Sequence, residues 1–175
     1  MYMIRTILTY PNPELKKKSA AVSIITEATL EIVRDMTDTM YNAPGVGLAA
    51  PQIGIHQRII IIDVSTRDES SSLIVAINPV IVHAEGDTFE EEGCLSVPQY
   101  AANVHRHSTV VVKGLDQDGK EQAWQAEGLL AIAFQHEIDH LNGTLFVDHL
   151  SPLKRDLFKR KQRRLAEAEI SPEKP

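Results

Sequence analysis

The sequence predicts an α+β fold: mostly antiparallel β-sheets packed around a central helix carrying a His-Glu-x-x-His motif, with an N-terminal helix and a C-terminal helix. Three observations carry this expectation. β-branched runs fill the middle of the chain, helical patterns do not alternate with them as βαβ units require, and an apolar helical stretch follows them at Gly128 to Phe134. At 175 residues the chain fits one domain, residues 1–175, able to bury about two-thirds of its unfolded surface.

The elements follow in order. Thr26 before Glu27, with Leu30, Val33, Thr37 and Met40 on one face, predicts a capped amphipathic helix ending near Asn42. Ala43 to Gly54 mixes Gly and Pro with small apolar residues and predicts a shaped loop. It leads into a buried strand at Ile59-Ile60-Ile61-Ile62. Leu73 to Val82 is a second apolar run, interrupted by Asn78-Pro79, and Val104 to Lys113 a third strand candidate. Asp116-Gln117-Asp118-Gly119 supplies a turn to a return strand. Leu150, Leu153 and Leu157 recur at helical spacing, predicting a C-terminal basic helix over about 151–166 and a frayed tail over 167–175.

The run Gln135-His136-Glu137-Ile138-Asp139-His140 sets two imidazoles one helical turn apart, with a carboxylate between them. Residues four apart share a helix face, so His136 and His140 can bind one divalent ion with Glu137 beside it. The apolar flank argues for burial. Two buried histidines and a carboxylate need partners, because each unpaired polar group costs roughly 2–7 kcal/mol.

Composition bounds the alternatives. Asp plus Glu number 24 against 18 Lys plus Arg, which gives no general field for nucleic acid. Seven of the 18 basic residues fall between Lys154 and Arg164, a solvated helix face or a docking surface for an RNA-rich or acidic partner. Met1 to Thr9 lacks the apolar core of a signal peptide, and no segment approaches the roughly 18 apolar residues that span a bilayer. A cytoplasmic protein with no membrane association is expected. The single cysteine, Cys94, agrees with a reducing compartment.

A catalytic site of this type usually has three protein ligands. A metzincin-like third histidine fails, because that position holds Phe146, and a downstream glutamate could come only from the charged tail. Cys94, in Glu92-Gly93-Cys94-Leu95-Ser96, is the favoured third ligand, with His105 and His107 as rivals.

Three segments together resemble the signature motifs of peptide deformylases, in their order: Gly45-Val46-Gly47-Leu48-Ala49-Ala50-Pro51-Gln52, Glu92-Gly93-Cys94-Leu95-Ser96 and Gln135-His136-Glu137-Ile138-Asp139-His140. The resemblance implies removal of the N-formyl group from the initiator formyl-methionine of nascent polypeptides, releasing formate. It implies Cys94, His136 and His140 as ligands of one divalent ion, characteristically Fe2+, with Zn2+, Ni2+ or Co2+ able to occupy the site. It further implies Glu137 as proton carrier, Gln52 and the Leu95 N–H as oxyanion donors, and Val46, Leu129, Ile132 and Ala133 as the methionine slot. The peptide would lie extended between the first and second motifs, beside Gly47, exchanging backbone hydrogen bonds with Val46 and Gly93, and Arg106 would pair with Glu92. Pro44 and Ala101 depart from charged residues common in the family, and the basic C-terminal helix has precedent as a ribosome contact. The competing readings are a metal-dependent endopeptidase or aminopeptidase, and a deformylase-like domain with an inactive or structural site.

Overall fold

The computed structural model describes residues 3–66 and 70–170, so positions 171–175 of the expected tail lie outside it. Helix α1 (Glu27–Asn42) starts where expected, because Thr26 and Thr29 cap each other's backbone N–H groups. Its inward face is Thr29, Val33, Met36 and Met40, while Leu30 and Thr37 are only half-buried. Seven strands follow: β1 (Gly47–Ala49), β2 (Ile59–Ile62), β3 (Ile74–Glu85), β4 (Thr88–Cys94), β5 (Val97–Arg106), β6 (Thr109–Leu115) and β7 (Glu121–Glu127). Helix α2 (Gly128–Leu141) carries the histidine motif, and α3 (Pro152–Ile170) closes the described chain. None of these helices is long and apolar enough to cross a membrane.

All pairing between strands is antiparallel. Five strands form one sheet in the order β1-β2-β3-β6-β7, and β4 with β5 forms a separate hairpin. The isoleucine run explains how the large sheet is held. Alternate residues of a strand point to opposite faces, so Ile60 and Ile62 pack with Phe134 and Ile138 of α2 while Ile59 and Ile61 pack with Met36 and Met40 of α1. The hairpin's apolar contacts go elsewhere, from Val97 and Val104 to Phe146, Leu150 and Phe158.

Three sequence expectations are corrected. Val104 to Lys113 is not one strand, because the chain turns at His107 and Ser108. There the Gln135 amide brackets His107, accepting from its N–H at 3.0 Å and donating to its carbonyl at 2.8 Å. β3 runs through Asn78-Pro79 instead of breaking. Asn78 adopts φ +53 in a bulge, and its side chain bonds the Val22 N–H and carbonyl at 2.8 Å each. α3 extends to Ile170 beyond the expected 166, because Leu165, Ala166, Glu167 and Ala168 are strong helix formers.

Asp63, directly after β2, gathers the neighbouring loop. It accepts hydrogen bonds from the Ser65, Tyr41 and Ser71 hydroxyls at 2.5, 2.6 and 2.7 Å. Burial alone would raise its pKa, but these bonds hold the carboxyl well below the usual carboxylate range. A depressed folded-state pKa stabilises above the unfolded value, near 3.9, and is lost as pH falls towards the folded value. Asp63→Asn should therefore cost about 1–2 kcal/mol at pH 7, with the gap to the parent narrowing steadily below about pH 4. Denaturant unfolding across pH checks this, and a gap that does not change with pH would refute it.

Candidate metal centre and active site

Helix α2 is buried along most of its length, so its polar residues have defined partners. Cys94, at the end of β4, reaches the same point as the two histidines. Its Sγ lies 3.3 Å from His140 Nε2, and the two Nε2 atoms are 3.2 Å apart. Donors held about 2.0–2.3 Å from one tetrahedral ion stand roughly 3.3–3.8 Å apart, so this spacing suits a shared divalent ion. Cys94, His136 and His140 are the one group of three or more such side chains that converges this way among the described residues. The rival ligands lie elsewhere. His105 is exposed and stacks on Phe89 with ring centroids 4.4 Å apart, and His107 contacts the Gly86 carbonyl.

The tautomer of His136 is set from behind. Its Nδ1 bonds Glu92 Oε2 at 2.9 Å, which leaves the Nε2 lone pair facing Cys94 and His140. Glu92 is itself clamped by Arg106, through Nε to Oε1 at 2.7 Å and Nη2 to Oε2 at 3.1 Å. Burial would raise the Glu92 pKa, but His136 and Arg106 outweigh it and hold the carboxyl at about 2. Arg106 also donates to Asp139 at 2.6 Å, and Asp139 takes a further bond from His149 at 2.7 Å. Local sequence did not mark Asp139 or His149 for this role. His149 is brought in by the turn at Phe146–His149, which only tertiary packing places beneath α2.

The histidine pair shifts in opposite directions. Burial drives His140 well below its usual range, reinforced by His136, whereas Cys94 and Glu92 overcome burial and push His136 up. Two ring nitrogens 3.2 Å apart cannot both carry a proton and a charge.

Glu137 points into the cleft. Its Oε2 is buried without a hydrogen-bond partner, and burial pushes its carboxyl up to about 7. The other oxygen rests against Gly47, where an added Cβ would meet Glu137 Oε1 at 2.5 Å. Gly47→Ala should therefore displace the carboxylate and lower turnover by about 100-fold or more, with little change in metal content. Steady-state kinetics beside metal analysis would check it, and near-normal kcat would show that the contact is dispensable.

Gln52 is fixed from both ends of its amide. Oε1 accepts the Ala49 N–H at 2.8 Å, and Nε2 donates to Ser96 Oγ at 3.1 Å while lying 3.6 Å from Cys94 Sγ. The Leu95 N–H, beside the cysteine, has no partner among the described residues.

These groups share a cleft of about 740 Å³. Val46, Gly47, Gln52, Gly93, Cys94, Leu95, Leu129, Ile132, Ala133, His136 and Glu137 all line it, and His140 is buried behind them. Leu129, on a mostly buried helix, is 55% exposed because it faces this space. One wall is β1, an edge strand of the large sheet. The Val46 carbonyl is committed to the Asp63 N–H at 2.9 Å, but the Ala49 N–H turns away from β2 to Gln52. Gly47 is in phase with Ala49, so its backbone groups face the cleft. On the opposite wall a Cβ at Gly93 would meet nothing nearer than the Tyr100 carbonyl at 3.9 Å, which leaves room for a ligand's backbone.

Two imidazoles, a thiol and a buried glutamate around an open cleft define a metal-dependent hydrolase of the His-Glu-x-x-His type. The family model described as polypeptide deformylase matches residues 4–156. The peptide deformylase of Syntrophobacter fumaroxidans is 54% identical over 166 residues, 94% of this chain and 98% of the relative. The crystal structure of a peptide deformylase from Legionella pneumophila superposes with a TM-score of 0.87 at 46% identity, covering 97% and 99% of the two chains. A structure of the Acinetobacter baumannii class I type b peptide deformylase with Met-Ala-Ser bound superposes with a TM-score of 0.81 at 33% identity, covering 86% and 100%. The chain belongs to the polypeptide deformylase family, the metal-dependent hydrolases that remove the N-formyl group from nascent polypeptides.

Proposed function

We propose that the chain works as one catalytic domain in which Cys94, His136 and His140 hold a single divalent ion and Glu137, Gln52 and Leu95 act on the formyl group. The observation that carries this reading is the convergence of three donor atoms within 4.8 Å of one another, beside an unpartnered Glu137 oxygen and the Gln52 amide. A divalent ion in that donor set would supply Lewis acidity, polarising a carbonyl and making water acidic near neutral pH. Glu137 takes a proton from the attacking water at its free Oε2 and delivers it to the leaving amine, a role suited to a carboxyl poised near pH 7. Gln52 Nε2 and the Leu95 N–H face the oxygen on which negative charge grows. Their bracing by Ser96, Ala49 and the turn after β4 means that little reorganisation is needed.

Leu129, Ile132, Ala133 and Val46 form the slot for the methionine side chain, while Gly47 and Gly93 offer backbone to the extended peptide. Met-Ala-Ser in the Acinetobacter baumannii relative supports a peptide that begins with methionine as the product. Ferrous iron is the resident ion in this reading, and the reducing cytoplasm suits a thiolate ligand.

Formate release from a formyl-Met tripeptide, with protein purified anaerobically with ferrous iron or reloaded with nickel, tests the reading directly. Absence of formate from metal-loaded protein would sink it, and internal peptide cleavage would favour a protease. Gln52→Ala should lower kcat by about 100- to 1,000-fold with KM little changed. The α3 face bearing exposed Leu153 and Leu157 among Lys154, Arg160 and Arg164 is proposed to meet the ribosome. Salt-insensitive association, or none lost after deletion from Leu153, would argue against that contact.

A further inference from the structure

A second cavity, of about 490 Å³, lies beyond the outer wall of the cleft between the Tyr10–Pro11 segment, the Pro98–Gln99 corner and α3. Pro98 and Gln99 line both cavities, so a chain leaving the first can pass over this corner into the second. The corner is a built feature. Gln99 adopts φ +61, and its carbonyl accepts a hydrogen bond from Lys161 Nζ at 3.1 Å, which ties α3 to it.

The chemistry of the second cavity differs from that of the first. The cleft is lined by four glutamates and neither lysine nor arginine, and Glu90 and Glu91 form no ion pair among the described residues. The second cavity has no acidic residue in its lining. Its cations are Lys159 and Arg163, one helical turn apart on α3, and neither forms an ion pair among the described residues even though Glu167 lies one turn beyond Arg163. Between them Gln162 holds an Nε2 that is buried without a hydrogen-bond partner. Two unpaired cations and an unsatisfied amide donor, in a concave site, call for an anionic acceptor. They lie on a different face of α3 from Leu153 and Leu157.

We propose that this cavity is an exosite for the downstream part of the formylated peptide, taking acidic side chains several residues beyond the methionine; this rests on the deformylase reading of the cleft. With methionine in the slot at Leu129, Ile132 and Ala133, a peptide running on past Pro98 and Gln99, which line both cavities, would reach the second one. The shared wall favours a peptide over a nucleic acid, because the same chain that fills the cleft reaches the cations.

The test uses formyl-Met octapeptides in which a pair of aspartates is moved stepwise from position three to position eight of an otherwise neutral sequence. One placement should raise kcat/KM by about three- to tenfold, through KM, and the gain should fade towards 1 M salt. Lys159→Glu with Arg163→Glu should abolish or reverse the gain, and Lys159→Gln with Arg163→Gln should abolish it. Both double variants should turn over a formyl-Met tripeptide at the parent rate. If the parent leaves the tripeptide untouched, the deformylase reading fails. If the tripeptide is turned over and no placement gains, the exosite is overturned. It is overturned equally if the variants lose only binding to an RNA oligonucleotide, with all peptides unaffected.

Discussion

Glu137→Gln should lower formate release by about 100- to 10,000-fold, with metal content per chain unchanged. The amide keeps the size of the carboxylate and its place against Gly47 but cannot accept a proton. Glu137 donates to and accepts from no other side chain in the described structure, so the substitution breaks no hydrogen bond. Unfolding by denaturant should accordingly change little. Retention of more than a tenth of the parent rate would move the proton-carrying role elsewhere, and loss of metal together with activity would show that Glu137 helps assemble the donor set.

The second large effect falls on stability and metal affinity together. Arg106 is 7% exposed and neutralises two carboxylates, Glu92 and Asp139, both of which are largely buried. Arg106→Ala leaves both without their cation, which should cost about 3–5 kcal/mol. Freed from its clamp, Glu92 orients His136 less well, and metal affinity should fall by roughly 10- to 100-fold. Competition with a chelator separates the two consequences. A variant that unfolds more easily but releases its ion at the parent rate would confine Arg106 to holding the fold.

Much of this architecture can be read from the chain because its strongest signals are local. The Thr26 cap, the isoleucine run and the spacing of His136 and His140 each depend on residues within one element. What sequence reading loses is set by distant partners. The turn that divides β5 from β6 is made by Gln135, 28 positions beyond His107. The passage of β3 through Asn78-Pro79 depends on Val22, 56 positions earlier. The same limit holds at the site. The pairing of His136 with His140 follows from motif spacing, but the Asp139–His149 contact and the fit of Gly47 against Glu137 exist only once the layers are assembled. Leu129 shows the converse, an apolar residue whose place in a hydrophobic run suggests core but which looks into open space.

The separation of the β4–β5 hairpin from the large sheet has a further consequence. The two share no ladder, and the hairpin's apolar contacts avoid the cluster around α2. Across that seam at the site run Glu92 to His136, Arg106 to Asp139 and the meeting of Cys94 with His140, all through side chains. An ion held by Cys94, His136 and His140 would draw one ligand from the hairpin and two from the helix, and so would act as a rivet between separately built halves. Occupancy and closure of the seam would then be a single equilibrium, and the supply of metal would govern how much of the protein is assembled for work as well as how fast each assembled molecule turns over.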